Sequence, residues 1–266
     1  MNVNSVHSVI FSPCGGTQKI MEAITKDINL PKYAYNVTLP KSRKQTFSFS
    51  QTDLVFFAFP VYGGHIPRNA ADIFNSFQGN DTPAVLVVVY GNRVYEGALL
   101  DMNKLALAKG FKPIAASAAI AEHSLAPVFA QNRPDNSDIK SLAKFGPAVL
   151  AAMEEQTTIF TPPGFYPDWP VPPTESFLIK ANESCTSCGL CEKVCPTGAV
   201  AKEDLQNSDP QLCIICAACL KYCPVKARDF VNQDFRKMGA EHLKNAITRK
   251  EAEFFFSKPD LVFTAK

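Results

Sequence analysis

The chain has 266 residues, 46% of them hydrophobic and 20% charged, with a formal net charge of +2. That length holds one large domain plus a small one, or two modest ones. So small a charge, with no Lys/Arg run, does not suggest a nucleic-acid surface, so no nucleic acid is expected as a partner. No apolar run approaches the ~18 residues needed to cross a bilayer, so no membrane is expected among its partners.

Ser5 to Phe11 is predicted as a strand. A helix follows from Thr17 to Ile28, with Ile20, Met21, Ile24 and Ile28 at helical spacing. A short strand is expected from Tyr33 to Val37. Leu54 to Phe59 has the unbroken apolar character of a strand buried on both faces of a parallel sheet. Pro67 opens a helix where its missing N–H costs nothing, and that helix is expected to run through Ile73 and Phe77. Ala84 to Tyr90 is the clearest strand. Ala98 to Lys109 reads as a helix closed by Gly110, Ile114 to Ala121 as a strand, and Asp138 to Glu155 as a long helix that Gly146-Pro147 should kink. Strands alternating with helices imply an α/β domain over residues 1–160, a doubly wound five-stranded parallel sheet.

Residues 161–174 are rich in proline, so they run extended and are read as a semi-rigid linker, with Trp169 anchoring it to a neighbour. Residues 175–230 form a second, smaller α+β domain. Residues 231–266 form a tail, helical from Gln233 to Thr248, whose Phe254, Phe255 and Phe256 pack back as core.

Eight of the nine cysteines lie between Cys185 and Cys223. Clustering of this kind points to metal before disulfides. Cys185, Cys188, Cys191 and Cys195 are followed by Pro196, and Cys213, Cys216, Cys219 and Cys223 by Pro224, with identical spacing. Three sulfurs two residues apart wrap three corners of a cubane, while the fourth follows the chain into a short helix and reaches the other cluster. One [4Fe–4S] cluster is therefore assigned to Cys185, Cys188, Cys191 and Cys223, and the other to Cys213, Cys216, Cys219 and Cys195. Structural zinc also takes four cysteines, but two complete runs, each closed by proline, argue against it. The segment resembles bacterial-type two-cluster ferredoxins over about forty residues. With every ligand a thiolate, no corner is left open for substrate, which points to carrying electrons.

In the first domain, three strand ends carry glycine. They are Ser12-Pro13-Cys14-Gly15-Gly16-Thr17, then Pro60-Val61-Tyr62-Gly63-Gly64, then Tyr90-Gly91-Asn92-Arg93-Val94-Tyr95. The first opens a helix with hydroxyls and free amides but no lysine, which suits a phosphate and excludes a nucleoside-triphosphate loop. It resembles the phosphate loop of flavodoxins, and a flavodoxin-like sheet of order 2-1-3-4-5 would bring all three loops to one edge. There Tyr62 could stack on an isoalloxazine ring. Any one such turn has an equally good structural reading; jointly they point to FMN. The whole domain order is similar to the fused flavodoxin–ferredoxin proteins of the EFR1 family, a resemblance that implies FMN, two [4Fe–4S] clusters and electron transfer.

Cys14 stands where flavodoxins usually have a hydroxyl. A helix N-terminus lowers a thiol pKa, which would suit a redox role, but a tolerated small side chain is the preferred reading. His65 and His123 are read as surface-loop histidines, and Arg93 and Glu96 as solvated. The main hypothesis is a relay between FMN and the two clusters, serving redox partner proteins whose identity the sequence does not give. A flavin-dependent reductase of a small substrate is the alternative, although no acid–base pair is evident. A third has the first domain empty of flavin and used only for docking. The start of the chain, Met1-Asn2-Val3-Asn4-Ser5, has no secretory character, so the expected compartment is the cytoplasm.

Overall fold

A computed structural model describes residues 3–153, 160–166, 168, 178–232 and 247–257. The first domain is built on β1 (Ser5–Ile10), α1 (Gly16–Thr25), β2 (Lys32–Asn36), β3 (Phe47–Phe49), β4 (Asp53–Pro60), α2 (Ala70–Phe74), β5 (Phe77–Gly79), β6 (Thr82–Tyr90), α3 (Ala98–Ala108), β7 (Phe111–Ile120) and α4 (Asn136–Met153). The cysteine-rich part adds β8 (Ile179–Ala181), α5 (Leu190–Lys193), α6 (Ala218–Lys221) and β9 (Arg228–Phe230), and the chain returns as β10 (Glu253–Phe256). No helix among the described residues is long and apolar enough to cross a membrane.

The main sheet has the order β10-β7-β6-β4-β1-β2. Every pairing from β2 to β7 is parallel, and this is the 2-1-3-4-5 order of a flavodoxin-like sheet. The period of two explains the layers. Val85, Val87 and Val89 of β6 point to one face, where they meet Ile20, Met21 and Ile24 of α1 and Leu142, Phe145 and Val149 of α4. Leu86 and Val88 point to the other face, against Ile73 and Phe74 of α2 and Leu99 and Met102 of α3. Burial on both faces is why β4 and β6 read as unbroken apolar runs.

Three features differ from the sequence reading. The helix begun near Pro67 is only five residues long, and Phe77, expected on it, belongs to β5. β5 pairs in parallel with β3, a small second sheet whose Phe47 and Phe77 stack at 5.6 Å and extend the aromatic core beside Phe49 and Phe111. The main sheet has a sixth strand: β10 pairs antiparallel with β7, and Phe254 stacks on Phe145 at 4.8 Å. Just before it, the buried Arg133, paired with Asp138, donates to the Lys250 carbonyl at 2.8 Å. Trp169, residues 233–246 of the expected tail helix and half of the linker lie outside the described residues.

Helix α4 runs through Gly146-Pro147 without interruption. Gly146 is required by proximity to α1: a Cβ there would stand 2.2 Å from the Ile24 carbonyl oxygen and 2.9 Å from Ile28 Cδ1. Helix propensity alone would make Gly146→Ala stabilising by about 0.5–1 kcal/mol. The overlap reverses the sign, and a loss of about 1–3 kcal/mol is expected from overpacking, measurable as a lower denaturation midpoint with an unchanged m-value.

Candidate functional site

The parallel strands β1, β4 and β6 end at the same edge of the sheet, so the three glycine-bearing segments share that edge. After β1, the Ser12 amide donates to Thr38 Oγ1 (2.9 Å) and the Ser12 hydroxyl accepts from the Gln18 amide (3.0 Å), which seats the first turn of α1. Pro13 and Thr17 are buried, while Gly15 and Gly16 are half-buried beside them. After β4, whose last residue Pro60 is buried beside Val89, Val61 packs on the core. Tyr62 and His65 then exchange two backbone hydrogen bonds, of 2.8 and 3.2 Å. Gly63 (φ 60°) and Gly64 (φ 84°) are the two central residues of that tight turn, a left-handed pair that suits glycine. At Gly63 a Cβ would meet nothing within 4 Å, leaving open space on that side, whereas at Gly64 it would run into Glu96 Oε2.

The third segment is used differently from the sequence reading. Tyr90 is buried and meets Tyr95 edge-on at 5.7 Å. Asn92 is 2% exposed, its amide donating to the Thr248 carbonyl (2.8 Å) and its oxygen accepting from the Lys250 amide (3.1 Å), so its side chain holds the approach to β10. Gly91 lies tight against the His123 ring. Arg93 and Glu96, expected to be solvated, form an ion pair, and Glu96 is 1% exposed with Oε2 buried and lacking a hydrogen bond. Burial raises the Glu96 carboxyl above its ordinary value, opposed by Arg93. His123 is no ordinary surface residue either: burial lowers it to about 4, and its Nδ1 accepts from the Leu125 and Ala126 amides. His65 pairs with Asp101 at 2.8 Å and stacks on Tyr166.

The cysteines fall into two hollows of about 320 Å³ each, counting space open to solvent. Cys185, Cys188, Cys191 and Cys223 line one; Cys195, Cys213, Cys216 and Cys219 line the other. The last cysteine of each run thus faces the hollow of the opposite run. The backbone repeats as the sequence does. Ser187 and Ile215 are both left-handed (φ 53° and 58°), as are Gly189 and Ala217 (φ 74° and 60°), just before α5 and α6. For the β-branched Ile215 this is a strained conformation, of the kind that concentrates at functional sites. Among the described residues, no group of three or more His, Cys, Asp or Glu is gathered tightly enough to hold a single metal ion. Zinc draws four sulfurs to 2.3 Å from one centre, closer than the described thiols are gathered. Burial pushes Cys219 up to about 12 and Cys216 well above its ordinary value. At Cys223 burial is outweighed by backbone amides, including Ala227 N–H at 3.2 Å from its sulfur, and the thiol lies below its ordinary value.

The second hollow adjoins the glycine edge. The Cys14 thiol donates to the Cys216 carbonyl at 3.1 Å, and Lys221 Nζ donates to the Cys14 carbonyl at 2.9 Å. Ile214, Cys216 and Ala218 join the sheet's own core cluster, against which Cys14, Val61 and Tyr62 also pack. Arg43 donates to the Pro196 carbonyl (2.8 Å), and Arg68 to the carbonyls of Pro210 (3.1 Å) and Cys213. These contacts, from residues 14, 43 and 68 to residues 196–216, join segments no local pattern connects.

Residues 178–228 match the family model of 4Fe-4S dicluster domains. A component of an ion-translocating oxidoreductase complex from Methanosarcina acetivorans is 46% identical over 44 residues, 16% of this chain and 17% of that protein. Ferredoxin Fdx2 of Sorangium cellulosum is 39% identical over 52 residues, 17% of this chain and 52% of that protein. The chain thus spans at most about half the length of either relative. Among solved structures, a Streptococcus flavodoxin (TM-score 0.38, 14% identity) covers 55% of this chain and 97% of its own. A flavodoxin from the Archaea (TM-score 0.36, 11% identity) covers 56% and 99%. The assignment of the first domain rests on its strand order. The matched segment makes the C-terminal part a 4Fe-4S ferredoxin domain, and the chain carries an electron-transfer module.

Burial sets the chemistry of Cys14. It pushes the thiol up to about 11, with Lys221 pulling down and Glu122 pushing up, the reverse of the lowering expected at a helix N-terminus. At pH 8 a thiol of that pKa is about one part in 1,000 thiolate, and the thiolate is the reactive form. Mass mapping after iodoacetamide treatment of the native protein should therefore show Cys14 alkylated at least about tenfold more slowly than in the denatured chain.

Proposed function

We propose that this chain relays electrons between one bound FMN and two [4Fe–4S] clusters, coupling a two-electron carrier to one-electron partners. One cluster is held by Cys185, Cys188, Cys191 and Cys223, the other by Cys213, Cys216, Cys219 and Cys195. The FMN phosphate would be received where Ser12, Gly15, Gly16 and Thr17 open α1, by the Gly16 and Thr17 amides and the hydroxyls of Ser12 and Thr17, with Pro13 and Cys14 shaping the turn. The ring would be held by Pro60, Val61, Tyr62, Gly63 and Gly64, with Tyr95 and Arg93 of the third loop as further candidates. FMN exchanges one or two electrons and each cluster one, which is the chemistry the bound groups supply. The division of labour follows: residues 1–160 flavodoxin-like, 161–174 a linker, 175–230 the two-cluster domain, 231–266 a tail that returns to the sheet. Membership of the EFR1 family of fused flavodoxin–ferredoxin proteins accords with this order, and redox proteins are its partners.

One observation carries the reading. The loop bearing Cys213, Cys216 and Cys219 is seated on the ends of β1 and β4, with Cys14 and Tyr62 packed beside Cys216. A flavin held by those strand ends and a cluster held by that loop would be neighbours, as electron exchange demands. The donor sets fit the groups: eight thiols in two wide cages, and a glycine cradle with open space at Gly63. Tyr90 and Asn92 are committed to the protein interior, so the flavin site draws mainly on the first two loops.

Protein purified without oxygen should contain about eight irons, about eight sulfides and one FMN per chain. Cys223→Ser should remove the cluster of the first run, and Cys195→Ser that of the second, each leaving about four irons. Electrons added to the clusters should appear in the flavin absorbance. Zinc in place of sulfide, or reduced clusters that leave bound flavin oxidised, would contradict the relay.

A further inference from the structure

The internal repeat hides a buried asymmetry. Cys195-Pro196-Thr197-Gly198-Ala199-Val200 closes the first run and Cys223-Pro224-Val225-Lys226-Ala227-Arg228 closes the second, so Arg228 holds the repeat position that Val200 fills in the first half. Both side chains are buried, Val200 at 2% exposure and Arg228 at 4%. An aliphatic side chain there is ordinary core. A guanidinium is not, because it stays charged at any physiological pH, and burying a charge is unfavourable without a counter-charge.

Arg228 has neutral partners. Its Nη1 donates to the Leu205 carbonyl (2.6 Å), and its Nη2 to the Ser208 hydroxyl (2.6 Å) and the Asn207 carbonyl (3.3 Å). Its Nε is buried without a hydrogen-bond partner. No carboxylate forms an ion pair with it among the described residues. Beyond those oxygens it faces sulfur, and the exposed Asp204 carboxylate acts on it from farther than ion-pair distance. Nη1 lies 3.7 Å from Cys191 Sγ, and Arg228 lines the first hollow. Ser208, which holds Nη2, lines the second. Through Ser208, one cation therefore borders both cages.

We propose that Arg228 is the shared counter-ion of the two clusters and raises the reduction potential of each. The proposal rests on the cluster assignment given above. A cubane with four thiolate ligands is anionic, and one-electron reduction adds a further negative charge, with no bond made or broken and no proton required. A fixed cation nearby stabilises the more negative state more, so it favours reduction. Charge and hydrogen bonds to the sulfurs are the levers that set cluster potentials. Because Arg228 touches the first cage and borders the second through Ser208, removing its charge should lower both potentials together.

The test is anaerobic potentiometry followed by electron paramagnetic resonance on the full-length protein and on R228K, R228Q and R228V, each assayed for iron and sulfide. Wild-type protein without iron and sulfide would refute the cluster assignment itself, and so be told apart from failure of this proposal. In a neutral variant that retains about eight irons, the reduction equilibrium constant of both clusters is expected to fall at least about tenfold, or about 59 mV for a one-electron couple. R228K, which keeps the charge, should lose less than either neutral variant. Unchanged potentials in a loaded neutral variant, or a shift confined to one cluster, would overturn the proposal. Loss of iron from both R228Q and R228V would also overturn it, by assigning Arg228 to assembly. R228V carries the side chain that the first half of the repeat already accommodates.

Discussion

The loops that carry the cysteines have little regular structure of their own, and their backbone carbonyls need donors. Several of those donors come from the sheet: Arg43 to Pro196, Arg68 to Pro210 and Cys213, and the Cys14 thiol to Cys216. Lys221 returns the contact by donating to the Cys14 carbonyl. Buried carbonyls without partners are rarely tolerated, so these hydrogen bonds fix where the cysteine domain sits. Everything proposed about function depends on that seat, because it sets the second cage beside the ends of β1 and β4.

The two domains are stabilised by different means. The sheet domain has two large apolar layers, one on each face of β4 and β6, with an aromatic cluster from Phe47 to Phe111 closing one end. The cysteine domain has two short strands, two four-residue helices and few fully buried side chains of its own, chiefly Ile179, Val200, Ala227 and Phe230. So small a core does not support a fold unaided. Burial also disfavours the thiolate at Cys213, Cys216 and Cys219, so ligation of a cluster by these residues, as proposed, would couple to folding. Docking on the sheet supplies the rest, with Ile214, Cys216 and Ala218 entering the larger core.

The returning chain end completes the sheet. Strand β10 covers the edge of β7, which would otherwise present unpaired backbone groups. Asn92 and Arg133 hold the segment just before it, through the carbonyls of Thr248 and Lys250 and the Lys250 amide. The third glycine-bearing loop is thereby drawn into a structural task, which is why Tyr90 and Asn92 face the interior instead of the open edge.

Local pattern was enough for the strands and helices whose burial is periodic. The doubly apolar β4 and β6, the one-sided α1 and the repeated cysteine spacing all follow from rules acting over a few residues, and so did the expectation that each run lends its last cysteine to the other. Pairings between distant segments were not legible in that way. The short sheet of β3 and β5, the antiparallel β10, the burial of Glu96 and His123 and the raised Cys14 thiol all depend on neighbours tens to hundreds of residues away. Arg228 left a trace in the sequence, as a charged residue at the position that Val200 fills in the first half of the repeat. Only tertiary structure gave that trace its meaning, because a charge on a three-residue strand is unremarkable until folding buries it beside the cysteine hollows without an ion-pair partner among the described residues.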